Sequence, residues 1–292
     1  MISHQDQRHY LAIARRAVAD AAELIRTHNP GKLVEKGDRD PASEVDLAVE
    51  RNVRDFLHNK TPEVEFLGEE EGGQPTGHGL LWMLDPIDGT VNFLHGFPLC
   101  AVSLSLFADN AVVAAVIHLP FIGTQYTALS GQGAFANDKQ LRVSRTSTLA
   151  DALISIDQYA FGEDAERKNR WRMRLTERLA HDAQRVRMLG SSAIDLAWTA
   201  EGRLDACIQL GNKPWDTSAG VLIAREAGAR VLDHDGSEHS HSPAPRSRSR
   251  QRWKPISWRQ YGLPWPSDVP ITSARRSRSA WKTQVSTAFS RA

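Results

Sequence analysis

The chain has 292 residues, 41% hydrophobic and 24% charged, enough apolar material for one large domain or two packed subdomains and too much for a disordered polymer. Lys and Arg number 36 against 35 Asp and Glu, so the total charge is near neutral. No apolar stretch reaches the roughly 18 residues of a membrane span, residues Met1 to Gln7 show no basic-then-apolar leader, and Cys100 and Cys207 have no paired spacing, so a soluble protein of the reducing cytoplasm is expected.

Taken in chain order, Leu11, Ala14, Val18, Ala21, Ala22 and Ile25 recur at helical spacing and predict an amphipathic helix over Tyr10 to Thr27. Val45, Val49, Val53, Phe56 and Leu57 predict a second over Glu44 to His58, preceded by the acidic stretch Asp40-Pro41-Ala42-Ser43-Glu44-Val45-Asp46. Strand-like runs follow at 80 to 84, 100 to 107, 111 to 118 and 124 to 129, joined by short turns. Gly131-Gln132-Gly133-Ala134-Phe135-Ala136 fits a loose dinucleotide-binding pattern, but it leads into the turn Asn137-Asp138-Lys139-Gln140 and no helix follows, so it reads as a tight hairpin. A second unit begins near Ala150, with strand Ala152 to Asp157, helix Glu166 to His181, a helix in the 190s, strand Leu204 to Gln209 and a helix opening at Asp216. The order predicts an α/β (α+β) fold, a sheet flanked by helices with acidic loops at its edge.

Two short stretches concentrate the chemistry: Asp85-Pro86-Ile87-Asp88-Gly89-Thr90 after the apolar run Leu80 to Leu84, and Trp215-Asp216-Thr217-Ser218-Ala219-Gly220 downstream. Gly68-Glu69-Glu70-Glu71 adds a third acidic segment. Carboxylates from several segments, with no Cys or His among them, suit a hard cation such as Mg²⁺, which shares its ligands with water and phosphate, and argue against zinc. Pro86 blocks regular strand pairing, Gly89 lets backbone amides approach an anion, and a helix starting near Thr90 would aim its free N–H groups at a phosphate. Asp-Pro and Asp-Gly pairs also form ordinary surface turns. The buried-looking strand before them and the two further acidic segments favour the metal and phosphate reading.

These motifs, with Val91-Asn92-Phe93 and Ala219-Gly220, resemble the signatures of the inositol monophosphatase superfamily of magnesium-dependent, lithium-sensitive phosphatases, and are most similar to bacterial inositol-1-monophosphatases. The resemblance runs from about Ala12 to about Asp235. It implies a layered αβαβα sandwich of the inositol monophosphatase/fructose-1,6-bisphosphatase type. It implies that Glu69, Asp85 and the Ile87 carbonyl hold one Mg²⁺ and that Asp85, Asp88 and Asp216 hold a second, two or three ions in all. Glu69 and Thr90 would position and activate a water, with Asp46 ordering the site. Residues 1–149 would form an N-terminal α+β subdomain with most metal ligands, and 150–241 an α/β subdomain with Asp216 and the substrate pocket. Asp88, Gly89, Thr90 and Asp216 would meet the substrate, and Gly190, Ser191 and Ser192 would line its pocket. Gln209 stands seven residues before Asp216, where many inositol phosphatases carry a Glu that accepts from ring hydroxyls. A neutral amide is a weaker acceptor. The resemblance implies a phosphomonoesterase acting on myo-inositol 1-phosphate or another small phosphorylated alcohol; histidinol phosphate is second, and fructose bisphosphate or a nucleotide 3′-phosphate ranks lower. A homodimer is the usual state of such relatives; neither a membrane nor a nucleic acid is an expected partner.

The last segment differs in composition. Ser242 to Ala292 hold eleven Lys and Arg against Asp268 alone, leaving 25 basic against 34 acidic residues before it, and four of the eight Trp residues (253, 258, 265, 281). The family pattern stops near His239 to Ser242, and the tail reads as disordered or altered by a change of reading frame, with loss of a strand and a covering helix from the second unit. An arm for nucleic acid or another anionic surface is the alternative, which would make the chain an inactive relative working as a binding protein. His234, His239 and His241 read as linker at the junction.

Overall fold

A computed structural model of the chain describes residues 2–240, apart from 30, 32, 38, 39, 77, 163, 164, 234 and 235, together with 270–273. Helix α1 (His4–Thr27) begins at Ser3, whose hydroxyl accepts from the Asp6 N–H while the Asp6 carboxylate accepts from Ser3. Ser43 and Asp46 start α2 (Glu44–Lys60) with the same reciprocal device. Both helices therefore begin earlier or end later than hydrophobic spacing alone indicates, because their polar caps carry no apolar period. A short hairpin, β1 (Leu33–Gly37) with β2 (Asp40–Ser43), feeds into α2.

The larger sheet takes its strands in chain order: β3 (Glu65–Gly68), β4 (Leu80–Asp88), β5 (Ala101–Ala108), β6 (Ala111–Leu119), β7 (Thr124–Leu129), β8 (Ala134–Ala136) and β9 (Lys139–Gln140). β3 and β4 are parallel and the rest pair antiparallel, with β7 and β8 forming the hairpin around Gly131 to Gly133. Side chains alternate across β4. Trp82 and Leu84 enter the core with Val18, Ile25, Val49 and Val53 of α1 and α2, whereas Leu81 and Met83 pack with Phe107 and Trp215 on the opposite face. Asp85 inherits the second face by period. A short helix, α3 (Thr90–Leu94), follows β4.

The second sheet has order β11-β10-β12-β14-β13, from β10 (Leu153–Ile156), β11 (Arg185–Arg187), β12 (Ala206–Ile208), β13 (Arg230–Asp233) and β14 (Pro270–Ser273). Helices α5 (Ser192–Glu201) and α6 (Pro214–Glu226) fill the space between the two sheets, and Trp171, Leu175 and Leu179 of α4 (Ala165–Asp182) cover the outer face of the second. The result is the five-layer αβαβα sandwich.

Three sequence expectations change here. β4 does not stop before the Asp-Pro pair: it continues to Asp88 through a bulge, since Asp85 opposes Ser103 and Asp88 opposes Ala101, three steps against two. The bulge accommodates Pro86, which has no N–H to give. Asp216 is the third residue of α6, not the first; Pro214 occupies the first position, where a missing N–H costs nothing. The strand expected to be lost from the second unit is supplied by 270–273, which lies between β12 and β13 and is antiparallel to both; Ile271 and Thr272 are β-branched residues of the kind strands favour. The remainder of 242–292 lies outside the described residues, as do His234 and His241. His239 bonds Asp233 at 2.7 Å. No helix of the described residues is long and apolar enough to cross a membrane.

α5 and α6 touch closely at Gly220, where an added Cβ would lie 2.6 Å from Leu196 Cβ. Gly220→Ala should therefore cost about 1–3 kcal/mol by overpacking, read as a lower Tm in thermal unfolding.

Candidate active site

Three carboxylates converge because three backbones are tied together. The parallel register sets Gly68 beside Leu84, and the Glu69 N–H donates to the Leu84 carbonyl at 3.1 Å, so Glu69 and Asp85 emerge side by side. Across β4, Asp85 pairs with Ser103, whose hydroxyl donates to the Trp215 carbonyl at 3.4 Å, and Ser105 bonds Ser218 at 2.8 Å. These contacts dock the first turn of α6 on the strand ends, and Asp216, held by the Lys213 N–H at 2.7 Å, completes the group. One carboxylate oxygen from each of Glu69, Asp85 and Asp216 lies within 4.8 Å of the others.

Asp88 stands next to this trio and joins it to the second unit. Its Oδ2 accepts from the Ser191 hydroxyl and the Ala193 N–H, both at 2.6 Å. Ser191 also caps α5, so one side chain starts that helix and binds Asp88. Gly89, at φ 92°, turns the chain from β4 into α3; an added Cβ would stand 2.8 Å from the Leu99 carbonyl. Gly190 faces Asn92, whose amide donates to the Leu99 carbonyl at 2.7 Å and the Leu189 carbonyl at 2.8 Å. Asn92 thereby fixes the 189–191 turn over the end of β4.

Thr90 lies on the other side. Its Oγ1 is 2.9 Å from the Ile87 carbonyl and 3.2 Å from Asp46 Oδ1. A hydroxyl has one proton, so whichever acceptor takes it, the Thr90 lone pairs stay available for an incoming donor. Asp46 itself is buried and bound to the Ser43 N–H at 2.8 Å and to the Ser43 hydroxyl. The Ser43 hydroxyl thus starts α2 and holds Asp46 at once.

The electrostatics follow from crowding like charges away from water. Burial, and then the charges of Glu69, Asp88 and Asp216, hold the Asp85 carboxyl well above the usual carboxylate range. Burial and the charges of Asp88 and Glu69 do the same to Asp216. Burial pushes Asp88 up to about 7, against the bonds from Ser191, Ala193 and Ser192 that favour its charged form. Oδ1 of Asp85 is buried without a hydrogen-bond partner. An orphaned carboxylate oxygen among like charges, with oxygen donors only, fits a hard divalent cation. The residues present fit such a group.

One expected pocket residue is placed differently. Gln209 is 1% exposed; its carbonyl accepts from the Ser192 hydroxyl at 3.0 Å and the Asn212 amide at 2.6 Å, and its own amide donates to Asp195 at 3.0 Å. Both lone pairs of the carbonyl are taken, so Gln209 presents no acceptor to a ring hydroxyl. The reason is Asp195, buried beneath it and bound also by the Ser155 hydroxyl. In the sequence Asp195 stands as a lone acid in the apolar stretch Ala193 to Ala197, Asn92 is legible only as a member of the Val91-Asn92-Phe93 motif with no role assigned to it, and Asn212 carries no pattern at all.

A five-layer sandwich that gathers carboxylates where neighbouring strands end is the architecture of a class of phosphoric monoester hydrolases, and this chain is one of them. The Inositol monophosphatase family model matches residues 6–259, and the chain belongs to that family. It is 38% identical over 222 residues to the inositol-1-monophosphatase ImpA of Mycolicibacterium smegmatis, covering 75% of this chain and 80% of that one. Among solved structures, the extragenic suppressor protein suhB of Bartonella henselae superposes with a TM-score of 0.78 at 26% identity, covering 96% of this chain and 98% of that one. An IMPase of Thermotoga maritima gives 0.77 at 25% identity, covering 97% of each.

The pKa of Asp88 sets a pH test. In the folded, cation-free protein Asp88 holds its proton up to about 7, whereas an unfolded Asp loses it near 3.9. The folded state binds the extra proton over that window, so the Asp88 contribution to stability declines as pH rises from about 4 to about 7 and stays lost above it. In chelator, Asp88→Asn should gain Tm relative to the parent between about pH 5 and about pH 8; a relative Tm that falls over this range would contradict the burial argument.

Proposed function

We propose that the chain hydrolyses a small phosphate monoester with Mg²⁺ held by Glu69, Asp85 and Asp216, assisted by Asp88 and the Ile87 carbonyl. The observation that carries this reading is the meeting of three carboxylates, with one Asp85 oxygen among them buried without a hydrogen-bond partner. When bound, Mg²⁺ supplies positive charge that offsets the phosphate oxygens and makes a water easier to deprotonate. The protein's own groups do the rest. Asp46 and the Ile87 carbonyl hold the Thr90 proton, so Thr90 Oγ1 accepts a hydrogen bond from the attacking water, and the Glu69 carboxylate accepts its proton. The water oxygen bonds to phosphorus in line as the ester P–O bond breaks, and the departing alkoxide oxygen takes a proton from solvent water. The backbone amides of Gly89 and Thr90 meet the phosphate oxygens.

We assign myo-inositol 1-phosphate as first substrate, in keeping with the name of the mycobacterial relative. Gln209 is withdrawn into a network with Ser192 and Asn212, and histidinol phosphate is the second reading. Lithium sensitivity, a homodimer and a cytoplasmic location complete the proposal; the buried free thiols of Cys100 and Cys207 agree with a reducing compartment.

Phosphate release should depend on Mg²⁺ and be suppressed by Li⁺, and a panel of inositol 1-phosphate, histidinol phosphate, fructose bisphosphate and a nucleotide 3′-phosphate ranks the substrates. Asp85→Asn should lower kcat/KM at least about a hundredfold, and Thr90→Ala about 10²-fold with Thr90→Ser restoring most of it. Parent-level turnover in Asp85→Asn would sink the assignment.

A further inference from the structure

We propose that Glu50, with Arg54 beside it, is a positioning residue that fixes the Glu69 segment at the cation site; this rests on the active-site reading above. Glu50 lies four residues after Asp46 on α2, on a face otherwise made of Val45, Val49, Val53 and Leu57, and is completely buried. It contributes no oxygen to the carboxylate trio. Its Oε2 accepts the Glu70 N–H at 2.8 Å, and its Oε1 accepts the Glu71 N–H at 2.9 Å and Arg54 Nη2 at 2.7 Å.

Together with the Glu69 N–H on the Leu84 carbonyl, three consecutive amides are pinned. An apolar residue fills a buried site at less cost than a charge. It cannot accept two successive N–H groups of a turn. The carboxylate also comes so close to the backbone that an added Cβ on Gly68 would stand 2.2 Å from it, so Gly68 and Glu50 are matched to each other. Arg54 completes the clamp from outside: Nη1 binds Glu71, and the guanidinium lies over the Phe66 ring at 5.0 Å from its centre. Arg51 adds a bond to Glu71 at 2.7 Å. The chain of contacts runs from α2 through residues 70 and 71 to the one acid that β3 delivers to the trio.

Glu50→Gln tests this, because one side-chain oxygen becomes an amide that faces the N–H groups it formerly bound. By calorimetry without substrate, the Mg²⁺ concentration at half-saturation should rise at least about tenfold, as for other residues that orient metal ligands. Mg²⁺ activation of phosphate release should shift by the same factor, while KM for inositol 1-phosphate at saturating Mg²⁺ stays unchanged. Leu57→Ala on the same helix should lower Tm without moving the half-saturation point. Should Glu50→Gln fail to fold, Arg54→Gln should shift it about threefold, since Arg54 holds the segment at one remove. A half-saturation point within twofold of the parent in whichever variant folds, or an equal shift in Leu57→Ala, overturns the proposal while the active-site reading stands. A parent that binds no Mg²⁺ in calorimetry overturns both.

Discussion

Four acidic side chains crowded at the end of β4 are the constraint from which the rest of the structure follows. Glu69, Asp85, Asp88 and Asp216 repel one another in a partly buried region, where the end of β3, the strand β4 and the first turn of α6 bring them together. Such a site disfavours the folded state unless protons or a cation neutralise it. The same imbalance makes a divalent ion welcome, and it is the ion, not the carboxylates, that would attract a phosphate ester, so the electrostatic cost and the proposed activity have one origin.

The fold offsets that cost with ordinary secondary structure. Buried apolar faces of α1 and α2 brace one side of the large sheet, and α5 and α6 brace the other. Hydrogen bonds at the site are nearly all to fixed groups: capped helix starts at Ser43 and Ser191, the Asn92 amide bridging two carbonyls, and the Gln209 amide facing Asp195. Glu50 belongs with them, since its two oxygens are spent on backbone amides and Arg54. The reactive groups are therefore held by neighbours that take no part in the chemistry.

Much of this is legible in the amino-acid sequence. The helices α1 and α2 follow from 3.6-residue spacing, the central strands from continuous apolar runs, and the acidic motifs from their ligand chemistry. What the sequence hides is non-local. β3 has only four residues and is a strand because β4 lies beside it. The bulge that carries β4 past Pro86 is visible only against β5. Pro270–Ser273 sits in a basic stretch with no period of its own and is a strand because β12 and β13 leave a gap between them. The spacing of Gln209 from Asp216 points to the pocket, whereas its role is set by Asp195 and Asn212, which no spacing rule connects. Glu50 has one local signal, an acid in an apolar stripe, and its purpose emerges only where the 68–71 turn lies against it.

The central claim is that a divalent cation replaces protons on a buried carboxylate cluster. The most direct measurement is Mg²⁺ calorimetry at about pH 6 in two buffers of different ionisation enthalpy. Binding should release protons, because Asp88 with a pKa of about 7 still carries one at that pH and burial holds the Asp85 and Asp216 carboxyls up as well. Mg²⁺ binding with no proton release at this pH would contradict the account.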